Sequence, residues 1–247
     1  MRVALISDIH GNLAALDATL DVLQRESLDM IVCLGDVAAT GPEPCAVLNR
    51  LRELACPTVM GNADAELLAA PRDLEDLDDD SRKITEISAW AATQFNEDDR
   101  NFLCAFQPTL TIDLGPAGLL LCCHGSPRSY DDIIRSSTPD EELDFLLANA
   151  DAPIIAGGHT HTRMLRHWRG REVINPGSVG LAYDHRPDGS VRVPAWAEFA
   201  ILSADGRAVS VDFRRVPYDL AATVRAMTER GMPHAEWWAA DWVMGDG

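Results

Sequence analysis

Side chains able to hold a metal ion recur in this chain immediately behind short apolar runs. Asp8 and His10 follow residues 2–7 (RVALIS), Asp36 follows residues 30–34, and Asn62 follows residues 58–60. His124 follows residues 119–123, and His159 and His161 follow residues 154–156 in Gly-Gly-His-Thr-His. In open α/β sheets, ligands bind beyond the carboxyl ends of the strands. Five separate strand ends can therefore bring carboxylate, imidazole and amide donors to one crevice. Such a mixed nitrogen and oxygen set suits Mn, Fe, Ni, Co or Zn better than Ca or Mg. In extended backbone, residues two apart share a face. On that basis Asp8 with His10, and His159 with His161, would point the same way. Taken singly, Gly-Asp and Gly-Asn are ordinary turn dipeptides and a lone Asp-x-His is more often a cap. The argument rests on all of them falling at strand ends together.

Those groups need elements to deliver them. Residues 2–7 and 30–34 read as buried strands, and 12–26 as a helix with Leu13, Leu16, Leu20 and Leu23 on one face. Residues 44–54 form a second helix with Pro at its first turn, and 58–60 a third strand. This βαβαβ order predicts parallel strands. Residues 65–106 form a helical, acidic, lid-like insertion, with a helix over 81–95 and a solvated acidic run over 73–80. Strands are expected at 110–114 and 119–123 around Gly115-Pro116. A helix starts at Thr138 with Glu141 placed for a capping box. A strand at 154–156 is followed by hairpins over 164–174, turned at Gly170, and over 198–213, turned at Asp205-Gly206. A helix over 218–230 closes the pattern. No repeat or linker divides the 247 residues, so a single domain is expected.

Lys and Arg total 21 against 39 Asp and Glu, a net charge of −18, which argues against affinity for long nucleic acid. No apolar run is long enough to span a membrane, and Asp8 interrupts the N-terminal run before it could serve as a signal-peptide core. A cytoplasmic protein is the expectation. Of the six cysteines, Cys122 and Cys123 are adjacent and none forms a CxxC pair, so they read mostly as small buried hydrophobes.

In sequence order these motifs resemble those of the calcineurin-like metallophosphoesterases, in particular the smaller bacterial and archaeal phosphodiesterase-like members. The family pattern D-x-H, G-D, G-N-H-[DE], H, G-H-x-H appears here as Asp8-Ile9-His10, Gly35-Asp36, Gly61-Asn62-Ala63-Asp64, His124 and Gly158-His159-Thr160-His161. Asn175-Pro176-Gly177-Ser178 adds a segment typical of the smaller members. The resemblance implies a four-layer αββα sandwich, two mixed β-sheets flanked by helices. It implies two divalent transition-metal ions, manganese first among them. One would take Asp8, His10, Asp36 and His161, the other Asp36, Asn62, His124 and His159, with Asp36 bridging. It implies hydrolysis of phosphate esters, phosphodiesters foremost, by attack of a metal-bridging hydroxide. Phosphomonoesters, nucleotides or phosphoproteins remain alternative substrates, as does a non-catalytic protein-binding scaffold. Asn62 would also touch substrate, and Asp36 and His124 would serve catalysis.

One position departs from the pattern. Ala63 stands where the family carries the histidine thought to protonate the leaving group, a function worth about 10²–10⁴-fold. His185, in the loop after the Asn-Pro-Gly-Ser segment, is the candidate substitute. Arg128, four residues after His124, is the candidate phosphate clamp, with Arg163 and Arg186 as further candidates. The expected partner is a small phosphorylated substrate. Trp237, Trp238 and Trp242 are read as packing residues or an interface patch, and the sequence leaves the oligomeric state open.

Overall fold

The structure, a computed structural model, describes residues 1–70 and 74–243. It begins with a strand, helix, strand and helix: β1 (Arg2–Ile6), α1 (Leu13–Leu23), β2 (Met30–Cys33) and α2 (Pro44–Leu54). Three helices follow, α3 (Asn62–Leu68), α4 (Asp79–Thr93) and α5 (Glu97–Cys104). Then come β3 (Leu110–Asp113), β4 (Leu119–Cys122), α6 (Asp140–Leu146), β5 (Ile154–Ala156), β6 (Met164–Trp168) and β7 (Arg171–Asn175). The remainder is β8 (Asp184–His185), β9 (Val191–Pro194), β10 (Trp196–Asp205), β11 (Ala208–Pro217), α7 (Leu220–Glu229), α8 (Ala235–Ala239) and β12 (Trp242–Val243).

One sheet has the order β11-β10-β1-β2, with β1 parallel to β2 and antiparallel to β10. The other runs β3-β4-β5-β7-β6, parallel at its centre and antiparallel at both edges. Both are mixed sheets. Alternation along β1 decides the layering. Val3 and Leu5 enter an apolar layer with Leu120, Cys122, Ile154 and Ile174 of the second sheet. Ala4 and Ile6 face the other way, toward Leu16 and Leu20 of α1 and Leu48 and Leu51 of α2. Behind the second sheet, Ile155 and Val173 pack on Leu143 and Leu146 of α6. Helix, sheet, sheet, helix is the αββα order that the sequence led us to expect.

Several details differ from expectation, each for a physical reason. Residues 58–60 make only single parallel bridges, Thr58 to Cys33 and Val59 to Gln107, because the chain leaves the sheet edge at once to start α3. No capping box forms at α6: Thr138 Oγ1 instead accepts from the Arg135 N–H, and Asp140 pairs with Arg166. The acidic run is only partly loop. Asp78 caps α4 by accepting from the Ser81 N–H, and Asp79 and Asp80 occupy its first turn, where carboxylates favour the helix dipole. Asp73 lies outside the described residues. The insertion is packed rather than free, burying Leu67, Ile87, Ala91 and Leu103. The strands β8, β9 and β12 make a small third sheet, and Trp242 is buried in it beside β9. Among the described residues, no helix is long and apolar enough to cross a membrane.

Candidate metal centre

The loops after β1 and β2 run side by side, joined by the Asp8 N–H to the Gly35 carbonyl, His10 N–H to Asp36 and Gly11 N–H to Val37. Asp8, His10 and Asp36 are thereby fixed as a group. The ligand pairs do not use extended backbone as the sequence reading assumed. Asp8, His10, Asp36, His159 and His161 all have positive φ, from 48° to 67°. Left-handed residues turn the chain, so each donor reaches the crevice by a tight bend rather than by strand alternation. Glycine allows the closest approaches. A Cβ on Gly61 would lie 2.0 Å from Asp36 Oδ1, and one on Gly158 would lie 2.6 Å from Asp8 Oδ2.

Two clusters result. Ligand atoms of Asp8, His10 and His161 lie within 4.8 Å of one another, and so do those of Asp36, His124 and His159. His10 Nε2 is 3.1 Å from His161 Nε2, and His161 Nε2 is 3.3 Å from Asp8 Oδ1. Asp36 Oδ2 faces both clusters, 3.2 Å from His124 Nε2 and 3.8 Å from His10 Nε2. One terminal atom of the Asn62 amide is 2.9 Å from His159 Nδ1, 3.1 Å from His124 Nε2 and 3.2 Å from Asp36 Oδ2.

The donor chemistry fits divalent ions. At metal–nitrogen distances of ~2.1 Å, neighbouring ligands in a tetrahedral or octahedral shell stand about 3.0–3.4 Å apart, the spacing seen here. A carbonyl can only accept, so the Nδ1–H groups of His124 and His161 donate to Leu34 and Leu181, both at 2.7 Å. His10 Nδ1–H donates to Thr40 Oγ1 at 2.8 Å, and that hydroxyl donates on to the Ala39 carbonyl. In all three rings Nε2 is the nitrogen turned to the cluster, the one whose lone pair a metal would take. The Asn62 oxygen, inward, meets only acceptors, an arrangement that a cation between them makes favourable.

Charge leads to the same conclusion. Asp8 and Asp36 are buried, and among the described residues their ion-pair partners are imidazoles alone. Burial opposes charge on Asp36, yet the His124 and His10 imidazoles hold its carboxyl well below the usual range. Burial likewise opposes protonation of His124, but Asp36 and Asp8 lift it to about 10. His10, buried beside His161, is pushed down to about 4. Two buried carboxylates thus demand positive charge, which protons supply in the bare protein and cations supply better.

The structure brings together Asp8, His10, Asp36, Asn62, His124, His159 and His161. It does not bring Arg128 to them: that guanidinium lies 3.8 Å from the centre of the Phe145 ring on α6. Arg163 pairs with Glu198 and Arg186 with Asp184. His185 is exposed, and its ring contact among the described residues is edge-on to Tyr183 at 6.2 Å. Two residues were missed. Asp64, in Gly-Asn-Ala-Asp, is fully buried and accepts from the N–H groups of Asp36, Val37 and Gly61 at 2.8, 2.9 and 3.2 Å. Its place in the motif was the available signal. Tyr183 stacks on His161 with ring centroids 4.6 Å apart. No sequence signal marks it.

Proteins of similar sequence and structure agree with this geometry. Residues 1–195 match the model of the calcineurin-like phosphoesterase superfamily domain. A metallophosphoesterase from Sphaerobacter thermophilus superposes with a TM-score of 0.74 at 28% identity, over 98% of each chain. An uncharacterized protein of Methanocaldococcus jannaschii is 26% identical over 242 residues, which is 95% of this chain and 94% of that one. The Escherichia coli phosphodiesterase YfcE is 35% identical over 77 residues, 27% of this chain and 42% of its own.

Proposed function

The chain belongs to the calcineurin-like phosphoesterase superfamily, and we propose on that premise that it hydrolyses small phosphodiesters at a centre of two divalent ions. The observation that carries the reading is the double convergence of donors, all buried but the half-buried His159, with one Asp36 oxygen facing both clusters. Asp8, His10 and His161, with Asp36, would hold one ion. Asp36, Asn62, His124 and His159 would hold the other. When bound, the pair supplies a water of lowered pKa and neutralises charge on the phosphoryl oxygens. Manganese is our first candidate for both positions, and the cytoplasm our proposed compartment.

The chain's own residues do the rest. Carbonyls of Leu34 and Leu181 and the Thr40 hydroxyl orient the imidazoles. Asp64 holds the Asp36 loop against the start of α3. Buried walls around the clusters exclude bulk water, which strengthens every charge interaction inside.

Preference for a diester is supported by where the arginines sit. Arg128, Arg163 and Arg186 are engaged by Phe145, Glu198 and Asp184. A monoester dianion carries one more negative charge than a diester, and clamping it calls for an added cation. These three residues do not supply one at the clusters, so a monoanionic diester is the better match. Bis(p-nitrophenyl) phosphate and p-nitrophenyl phosphate, each assayed with Mn²⁺, Ni²⁺ and Mg²⁺, test the reading. The diester should be cleaved faster, by a transition metal, with Asp36→Asn inactive. Faster turnover of the monoester under all three metals would overturn the substrate assignment.

A further inference from the structure

Hydrolysis leaves negative charge on the departing ester oxygen, and Ala63, a methyl group 8% exposed, offers it no donor. Several donors near the clusters are already engaged. The Nδ1–H groups of His10, His124 and His161 are spent on Thr40, Leu34 and Leu181. The Thr40 hydroxyl donates to Ala39, and the Ser178 hydroxyl donates to the Asp8 carbonyl. Ser7 Oγ is fully buried, out of reach of any substrate. His159 faces the His124 cluster with Nδ1, 2.9 Å from the Asn62 amide, so as a ligand it carries its ring N–H on Nε2. Against the other cluster stands Tyr183. Its ring lies nearly parallel to His161, at 26° and 4.6 Å, and the residue is 37% exposed. Its hydroxyl has no partner among the described hydrogen bonds. One face of the ring is thus fixed on a ligand while the donor at its tip is free, the arrangement of a group that meets substrate.

We propose that Tyr183 contacts the substrate, donating a hydrogen bond from its phenol to the leaving ester oxygen and so taking the function that Ala63 lacks. The inference rests on the phosphodiesterase reading above. In the step, the oxygen of water forms the new bond to phosphorus. The ester P–O bond breaks with its electron pair on the leaving oxygen. The proton released by water reaches that oxygen through solvent, while the phenol keeps its own proton throughout. Tyr183, whose ring stacks on the ligand His161, rather than His185, is then the donor. His185 contributes by its edge contact with the tyrosine ring.

The test uses the Mn²⁺-loaded full chain, its Tyr183→Phe and Tyr183→Ala variants, and aryl methyl phosphodiesters graded by the pKa of the leaving phenol. Tyr183→Phe keeps the stack and removes only the donor. Its kcat should fall about twofold for nitrophenyl leaving groups and about tenfold or more for unsubstituted phenyl, steepening the dependence on leaving-group pKa. Metal content should stay at that of the parent. Inorganic phosphate, titrated calorimetrically, should bind severalfold more weakly to Tyr183→Phe, because one phosphate oxygen occupies the leaving position. A uniform loss across leaving groups, no loss, or a drop in metal content in Tyr183→Phe would overturn the assignment. So would normal behaviour of Tyr183→Phe with failure of Tyr183→Ala, which would make the ring a support for His161 only. A parent that binds metal yet cleaves no diester would sink the phosphodiesterase reading. In that event the phosphate affinities of parent and Tyr183→Phe still decide the place of Tyr183.

Discussion

Asp8, His10, Asp36, His159 and His161 hold left-handed backbone, a conformation that costs L-residues roughly 1 kcal/mol or more each. Asp and His tolerate it better than bulky or branched residues do. The strain persists because paired loop hydrogen bonds and imidazole–carbonyl bonds over-determine the positions. That places the function in residues rather than in loop flexibility, and makes single substitutions informative. Asp36→Asn should keep the fold, lower bound metal and reduce hydrolysis by about three orders of magnitude. Elemental analysis beside circular dichroism checks both halves, and full metal occupancy in the variant would contradict the bridging role. Thr40→Val removes the nearer acceptor for His10 Nδ1–H and leaves it the Ala39 carbonyl at 3.2 Å. Losing an outer partner of this kind typically costs about 10–100-fold in metal affinity, readable by competition with a chelating dye. The ligands themselves were legible from their types and strand-end positions. Their left-handed backbone was not, since nothing in Asp-x-His separates an extended pair from a bent one. Tyr183 was illegible too: its contact with His161 depends on where the Leu181 carbonyl meets that ring.

Long elements with a clear period were read correctly because burial of one face fixes both type and register. The β10 and β11 hairpin is longer than expected, ten residues each, since the two strands pair with each other from Trp196–Pro217 to Asp205–Ala208, well beyond the stretch of β10 that pairs with β1. The short strands β8, β9 and β12 escaped notice because long-range pairing, not local alternation, creates them. The β2–α3 junction is an element-level device of the same sort. Asp64 satisfies three N–H groups that no helix or strand could. Asp64→Ala should cost about 3 kcal/mol through those orphaned donors, measured as a lower urea midpoint. A change below a few tenths of a kcal/mol would show the N–H groups satisfied otherwise. The cysteines divide by element as well. Cys33, Cys122 and Cys123 are buried in strands or directly behind them, and burial pushes Cys123 up to about 12 and, with Thr58 opposing, Cys56 up to about 11. Cys104, at the end of α5, is exposed, and Cys45 and Cys56 are half-buried. An aromatic disulfide reagent at pH 8 should therefore label Cys104 rapidly and Cys33, Cys122 and Cys123 only after unfolding.

Across the whole molecule, ion binding and folding are linked, because the donors come from segments as distant as Asp8 and His161 and meet only in the native state. A ligand bound to the native state alone stabilises it by RT ln(1 + [L]/Kd), about 2.7 kcal/mol at a hundredfold excess over Kd. Chelation should lower the melting temperature, and added Mn²⁺ should restore it in a concentration-dependent way. The net charge of −18 adds a second consequence. Two divalent ions offset only a small part of it, so an anionic substrate approaches against a repulsive field that the centre overcomes at short range. Salt screens that field, the Debye length shrinking from ~30 Å at about 10 mM to ~8 Å at about 150 mM. With metal held saturating, kcat/KM for an anionic diester should therefore rise over this interval, and rise more steeply for a dianionic monoester. Most enzymes acting on anions through a basic surface show the opposite slope, since salt weakens their attraction. A falling kcat/KM here would mean that cationic side chains, rather than bound metal, dominate the approach, and the arginine argument for diester preference would fall with it.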